Sequence, residues 1–307
     1  MPLAPEIKAF LEAAAAAGLP QVWEAPIEVI RRNTQSRPAL AGTPETLFDV
    51  SNRFIPGPTA DLPIRIYRPS KITERTIVYF HGGGWVLNFL DIYDASLARL
   101  ANQSGSTIIS VNYQKAPEHP FPIPFDDCYA TLLWVLQNAT ELAINTKKLG
   151  VAGDSAGANL AAAVALKARD NDIALAFQLL IYPCNDRNFK SESYRKNATG
   201  YGLSTQAMQW FWQQYLQGDD HNQNPYAVPM QAKDFSNLAP AIVITAEYDP
   251  LLSDGEKYVE LLARDGVATS YKRYEGMIHG FFTNMAVTPA AGQAIDFSAS
   301  EIVRLTP

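Results

Sequence analysis

The residues Gly153-Asp154-Ser155-Ala156-Gly157 place a serine between two glycines in the pattern G-x-S-x-G. Lys148 to Ala152 precede them as a short apolar stretch suited to a buried strand, and Asn159 to Lys167 follow as a strong helix former. A serine at a sharp strand-to-helix turn is held in a strained backbone conformation that lifts its hydroxyl clear of the sheet. Such a turn needs small neighbours on both sides. The helix N-terminus behind it points backbone N–H groups at any negative charge that develops there. These features present a nucleophile.

A serine hydroxyl is a weak nucleophile and needs a base, which in turn needs a group to fix its tautomer. The four histidines are His81, His119, His221 and His279. His279, in Gly276-Met277-Ile278-His279-Gly280-Phe281, lies just past the last strand, where reactive groups gather in a parallel sheet. His221 sits in a polar loop, His119 in a turn before Pro120, and His81 beside Gly82-Gly83-Gly84, where a structural role fits. The strand Ala241 to Ala246 is followed by Glu247, Tyr248 and Asp249, with Pro250 stiffening the turn. Asp249 is the first choice for the acid, and Glu247 stays open as its rival. Asp254 is expected to cap the helix that follows.

A third segment, Phe80-His81-Gly82-Gly83-Gly84-Trp85, follows the apolar strand Thr76 to Phe80. Three consecutive glycines bring backbone N–H groups close to a ligand with no side chain in the way. With the N–H of Ala156 they aim two or three donors at one oxygen, each worth about 3–4 kcal/mol of barrier in acyl transfer. A phosphate cradle is the competing use, but the chain has no G-x-x-x-x-G-K-[ST] and no acidic dinucleotide signature.

Residues 1 to about 40 follow helical spacing through Ile7, Phe10, Leu11 and Ala14 and through Ile27 and Ile30. Eight β-type runs come next, at 46–54, 62–67, 76–80, 106–112, 148–152, 176–182, 241–246 and 269–274. Helical segments lie between the later ones, at 94–103, 125–138, 158–170 and 254–265. This alternation predicts a mostly parallel α/β sheet covered on both faces, with an antiparallel start around Pro56-Gly57-Pro58. Residues 185–236 break the rhythm with a polar stretch and an aromatic helix, Gln206 to Leu216. The expected organisation is N-terminal helices over 1–45, a catalytic core of 46–184 and 237–307, and a cap insertion over 185–236.

The 307 residues are 47% hydrophobic and 18% charged, enough for a large core and against disorder. A net charge of −6 without a basic patch disfavours a nucleic-acid partner. No run of about 18 apolar residues suggests a membrane span. The first residues lack a basic segment ahead of an apolar one, and Cys128 and Cys184 read as free thiols, so a cytoplasmic protein is expected.

These motifs, in order, resemble the hormone-sensitive-lipase-like (bacterial family IV) carboxylesterases of the α/β-hydrolase superfamily. The resemblance is carried by His81-Gly82-Gly83-Gly84-Trp85, Ala116 to Pro122, Gly153 to Gly157, Ile181-Tyr182-Pro183, Asp249-Pro250-Leu251 and His279-Gly280-Phe281. It implies an eight-stranded core with a helical cap and an intracellular hydrolase of short acyl esters. It puts the acid on Asp249 and the oxyanion hole on Gly83, Gly84 and Ala156, within the loop that includes Gly82. The family often continues Asp-Pro-Leu-Arg, whereas Leu252 stands here, so an arginine contact is lost or replaced. The order Ser155, Asp249, His279 is the α/β-hydrolase order. Two-step acyl transfer needs neither metal nor cofactor, and its histidine base must be neutral, so activity falls in acid. Trp85, Leu87, Leu203, Met208, Phe211 and Trp212 are the candidate pocket walls, suited to short or medium acyl chains. An amidase, formamidase or feruloyl-type esterase would share this machinery. A non-catalytic ligand-binding protein on the fold would not need the intact triad. A homodimer through the edge strand Thr269 to Tyr274 is a further expectation.

Overall fold

Short runs of β-branched and apolar residues become β1 (Asp49–Pro56), β2 (Asp61–Arg68), β3 (Arg75–Phe80), β4 (Ser106–Val111), β5 (Leu149–Asp154), β6 (Gln178–Ile181), β7 (Ala241–Tyr248) and β8 (Thr269–Ile278) in a computed structural model that describes residues 2–307. They form one eight-stranded sheet in the order β1-β2-β4-β3-β5-β6-β7-β8. β1 and β2 pair antiparallel, as does β2 with β4, and every other pairing is parallel. The central strands are buried on both faces, which is why they read as unbroken apolar runs. Alternate residues feed two cores: Val78, Phe80 and Val151 enter one, while Ile77, Tyr79 and Ala152 enter the other.

The helices are α1 (Pro5–Ala16), α2 (Ile27–Asn33), α3 (Pro38–Ala41), α4 (Asp94–Ser104), α5 (Ile123–Gln137), α6 (Ala156–Asp170), α7 (Glu192–Lys196), α8 (Thr205–Leu216), α9 (Leu252–Arg264) and α10 (Pro289–Leu305). Side chains of α5, α6, α8 and α9 fill the first core; those of α4 and α10 fill the second. No helix among the described residues is long and apolar enough to cross a membrane. Cys128 and Cys184 are free and buried.

Several boundaries move in ways that matter for chemistry. β7 extends to Tyr248, so Glu247 lies in the strand and Asp249 is the first residue beyond it. β8 extends to Ile278, so His279 follows the strand at once. α9 starts at Leu252, which puts Asp254 inside its first turn rather than at its cap. There Asp254 is 2% exposed, and burial holds its carboxyl well above the usual range. The C-terminal helix α10 lies outside the predicted elements; it buries Ala291, Ala294, Ile295, Ser298, Ala299 and Ile302, a face built mostly from small residues.

Between β6 and β7 the chain leaves the sheet and makes α7 and α8. α8 buries Ala207, Met208, Phe211, Trp212, Tyr215 and Leu216, a broad face at helical spacing. Its C-terminal end is tied to the loop after β4: Phe121 N–H donates to the Tyr215 carbonyl at 2.8 Å and Gln217 to the Pro117 carbonyl at 2.6 Å. Asn159 on α6 donates to the carbonyls of Cys184 and Ala227, stitching both ends of this excursion to the sheet's own helix.

The closest approach at any glycine is where α6 starts against β3. A Cβ on Gly157 would overlap the Phe80 carbonyl oxygen, and one on Gly153 would overlap the Gly157 carbonyl. Backbone cannot swing aside as a side chain does. Gly157→Ala is therefore expected to cost roughly 4 kcal/mol or to abolish soluble expression. Gly266→Ala, in open space with φ +80°, should cost only about 1 kcal/mol of backbone strain. Equal shifts in chemical denaturation for the two variants would contradict this packing.

Candidate active site

Ser155 bridges β5 and α6 with φ 56° and ψ −120°, a conformation that L-residues rarely adopt. Its N–H is fixed by the Ile181 carbonyl at 2.8 Å, and the residue is 7% exposed. The glycines at 153 and 157 are required because α6 leaves the strand at so close a crossing.

His279 lies between Ser155 and Asp249. Its Nδ1 is 2.7 Å from Asp249 Oδ2, and its Nε2 is 2.8 Å from Ser155 Oγ. A carboxylate only accepts, so Nδ1 carries the proton and Nε2 offers its lone pair to the serine hydroxyl. Asp249 is fully buried, and its other oxygen accepts the Leu251 N–H at 2.8 Å. The rival Glu247 is engaged elsewhere, accepting the Gly276 N–H at 2.7 Å. The ring of Tyr182 packs 4.6 Å from the His279 ring. Asn197, from the excursion, donates to the carbonyls of Glu247 and Asp249 and braces the acid's turn. Next to Leu252, Ser193 and Ser253 exchange backbone-to-hydroxyl hydrogen bonds.

The loop after β3 stands beside Ser155. Gly83 and Gly84 take φ 117° and 61°, and a Cβ on Gly84 would run into the Phe211 ring. The N–H groups of Gly83 and Gly84 have no acceptor among the described residues. That of Ala156, first in α6, has no partner within its helix. Gly82 departs from expectation: its N–H is spent on Asp154 Oδ1 at 2.8 Å and is unavailable to a ligand. Asp154 also accepts Tyr79 Oη at 2.9 Å and Tyr93 Oη at 3.3 Å, binding the end of β5 to this loop. Burial raises its pKa to about 6, against the pull of those hydrogen bonds. His81 is stacked on Tyr113 at 4.4 Å and donates Nδ1–H to the Gly82 carbonyl. Burial, aided by Lys115, lowers its pKa to about 3, so it is neutral and structural. His221 packs against Phe121, and His119 borders a separate surface cleft of about 1000 Å³ with Arg31 and Lys115, which contains none of Ser155, Asp249 and His279.

The candidate pocket residues divide. Trp85 and Trp212 do not face open space: both are wholly buried, Trp85 stacking on Tyr215 at 4.2 Å and tilting against Trp212 at 4.5 Å. Leu87 and Met208 are nearly buried as well, at 3% and 2% exposure. Phe211 lies directly on Gly84, and Leu203 is half-buried. Asn197 lies in no motif that signals its distant partner, and Tyr182, although part of Ile181-Tyr182-Pro183, gave no sign of its contact with His279.

The raised Asp154 pKa has a consequence for stability. Between an ordinary carboxylate value of about 3.9 and the folded value of about 6, the folded state binds more protons than the unfolded one. Stability therefore falls as pH rises through this window, by about 3 kcal/mol at most from this group. Asp154→Asn, which cannot titrate, should flatten that slope in urea denaturation between pH 4 and 6.5. An unchanged slope would contradict the assignment.

Residues 77–283 match the α/β-hydrolase fold family. The arylesterase of Saccharolobus solfataricus is 36% identical over 92% of both chains, and the ethyl acetate hydrolase of Pseudomonas putida is 33% identical over 96% of both. The hyperthermophilic esterase of the archaeon Pyrobaculum calidifontis superposes with a TM-score of 0.94 at 36% identity, covering 99% of each chain. With this match, this sheet and these relatives, the chain belongs to the α/β-hydrolase fold family as a carboxylic ester hydrolase.

Proposed function

We propose that Ser155, His279 and Asp249 carry out ester hydrolysis through an acyl-enzyme, with the N–H groups of Gly83, Gly84 and Ala156 as the oxyanion hole. The observation that carries this reading is the unbroken relay from Asp249 to His279 to Ser155, at 2.7 and 2.8 Å, beside backbone N–H groups that lack acceptors. As Ser155 Oγ bonds to the ester carbon, its proton passes to His279 Nε2. The carbonyl oxygen becomes an oxyanion between the three donors, and the imidazolium forms against the Asp249 carboxylate. His279 then gives the proton to the leaving alcohol oxygen as the C–O bond breaks. Water enters, loses a proton to Nε2 and attacks the acyl carbon. Collapse releases the carboxylic acid and returns the proton to Ser155.

Short to medium acyl groups are the proposed substrates. Phe211 crowds Gly84 at the oxyanion loop, and the names of two relatives, ethyl acetate hydrolase and acetyl esterase, specify two-carbon acyl groups. The segments 1–45 and 185–236 form the proposed cap; Gly202 of the insertion lies near Leu11 of α1 and Ile278 of β8. A reducing, cytoplasmic setting fits the two buried thiols. Pairing of two copies through Thr269 to Tyr274 fits the position of β8 at the sheet edge, where Tyr271 is 37% exposed.

Ser155→Ala and His279→Ala should each lower kcat by about 10⁴-fold or more, with the fold intact by circular dichroism. Wild-type turnover by either variant would remove that residue from the mechanism. Across p-nitrophenyl esters, acetyl to hexanoyl should exceed dodecanoyl, and matched anilides should lag well behind. A maximum at the longest chains, or anilides equal to esters, would overturn the substrate class.

A further inference from the structure

Asn88 is a non-glycine residue at φ 71°, five positions beyond Gly83 and outside every motif read from the sequence. Its side-chain amide is fixed at both ends. Nδ2 donates to the Gly82 carbonyl at 3.2 Å and lies 3.1 Å from Tyr93 Oη, while Oδ1 accepts Arg37 Nη1 at 3.0 Å. A carbonyl only accepts and a guanidinium only donates, so these partners leave the amide one orientation. The Gly82 carbonyl takes a second hydrogen bond from His81 Nδ1 at 2.8 Å. The Gly82 carbonyl and the Gly83 N–H belong to one planar trans peptide and point in opposite directions. Whatever holds that carbonyl therefore aims that N–H. Gly83, at φ 117°, has no Cβ of its own to restrict this plane, and one added there would crowd the Leu87 carbonyl and the Asn88 amide carbon. Arg37, which anchors the amide, comes from the N-terminal segment between α2 and α3, part of the proposed cap.

We infer that Asn88 is a positioning residue that orients the Gly83 N–H toward the oxyanion, and that Arg37 couples the N-terminal segment to it. The inference rests on the reading of Ser155 and the glycine loop given above, and the test separates the two.

Asn88→Gly suits the test, because glycine adopts φ 71° without strain and only the side-chain bonds are lost. It should lower kcat by about 10- to 100-fold, less than deletion of a donor outright, with KM changed by less than about threefold. A trifluoromethyl ketone, which takes Ser155 Oγ onto its carbonyl and places a tetrahedral oxyanion in the hole, should lose affinity by the same factor. The matching methyl ketone, bound without that adduct, should not. Arg37→Ala should give a smaller loss, about three- to tenfold, that adds little to Asn88→Gly in the double variant, as for residues acting through one contact. Arg37→Lys, which keeps a donor, should recover part of it. If the wild type binds the trifluoromethyl ketone no better than Ser155→Ala does, the reading of the active site itself fails. If the wild type binds it tightly and Asn88→Gly retains both kcat and that affinity, the positioning role fails alone. A loss confined to KM, or losses that add fully in the double variant, would also overturn it.

Discussion

The site depends on how closely α6 crosses β3. Where Gly157 passes the Phe80 carbonyl there is no room for a side chain, and the same closeness forces Ser155 into its left-handed conformation. One contact thus achieves two results. It lifts the serine hydroxyl off the end of β5, and it brings the start of α6 alongside the loop that leaves β3. The free N–H of Ala156 and the glycine N–H groups consequently stand together although they lie far apart in sequence. Asp154 holds this junction from beneath: its carboxylate receives Gly82, Tyr79 and Tyr93, at the cost of a pKa raised by burial.

The remaining parts arrive from the far side of Ser155 in the sheet order. β7 ends one residue before Asp249 and β8 one residue before His279, so neighbouring strands deliver the proposed acid and base side by side. Asp249 is wholly buried, with one oxygen used by Leu251 and the other by His279. A buried, hydrogen-bonded carboxylate holds one tautomer of the imidazole, as the proposed mechanism requires. The excursion between β6 and β7 contributes from outside, with Asn197 on the acid's turn and Phe211 on Gly84. The surroundings of the site therefore belong to the inserted segment as much as to the sheet.

What could be read from the sequence was whatever repeats or is locally forced. Buried parallel strands show as apolar runs, and a glycine pair around Ser155 shows because close backbone approach tolerates nothing else. The choice between Glu247 and Asp249 was not legible on physical grounds, because it turns on where β7 ends. Two residues decide whether a carboxylate meets Gly276 or His279. The glycine loop was legible as a donor site, but not that Gly82 spends its N–H on Asp154. That bond joins residues 72 positions apart. Trp85 and Trp212 looked like pocket walls because bulky aromatics mark both pockets and cores. Their complete burial, with Trp85 stacked on Tyr215 and tilted against Trp212, shows that these two belong to a core. Asn88 gave no signal, since a left-handed asparagine cannot be told from any other asparagine in a loop.

The central claim is that Ser155 is the nucleophile made reactive by this geometry. The most direct measurement is stoichiometric labelling with diethyl p-nitrophenyl phosphate, followed by intact mass and peptide mapping. The expected result is one diethylphosphoryl group per chain on Ser155, with activity lost in proportion to labelling. Inactivation accompanied by a label on another residue, or full labelling of Ser155 with activity intact, would contradict it.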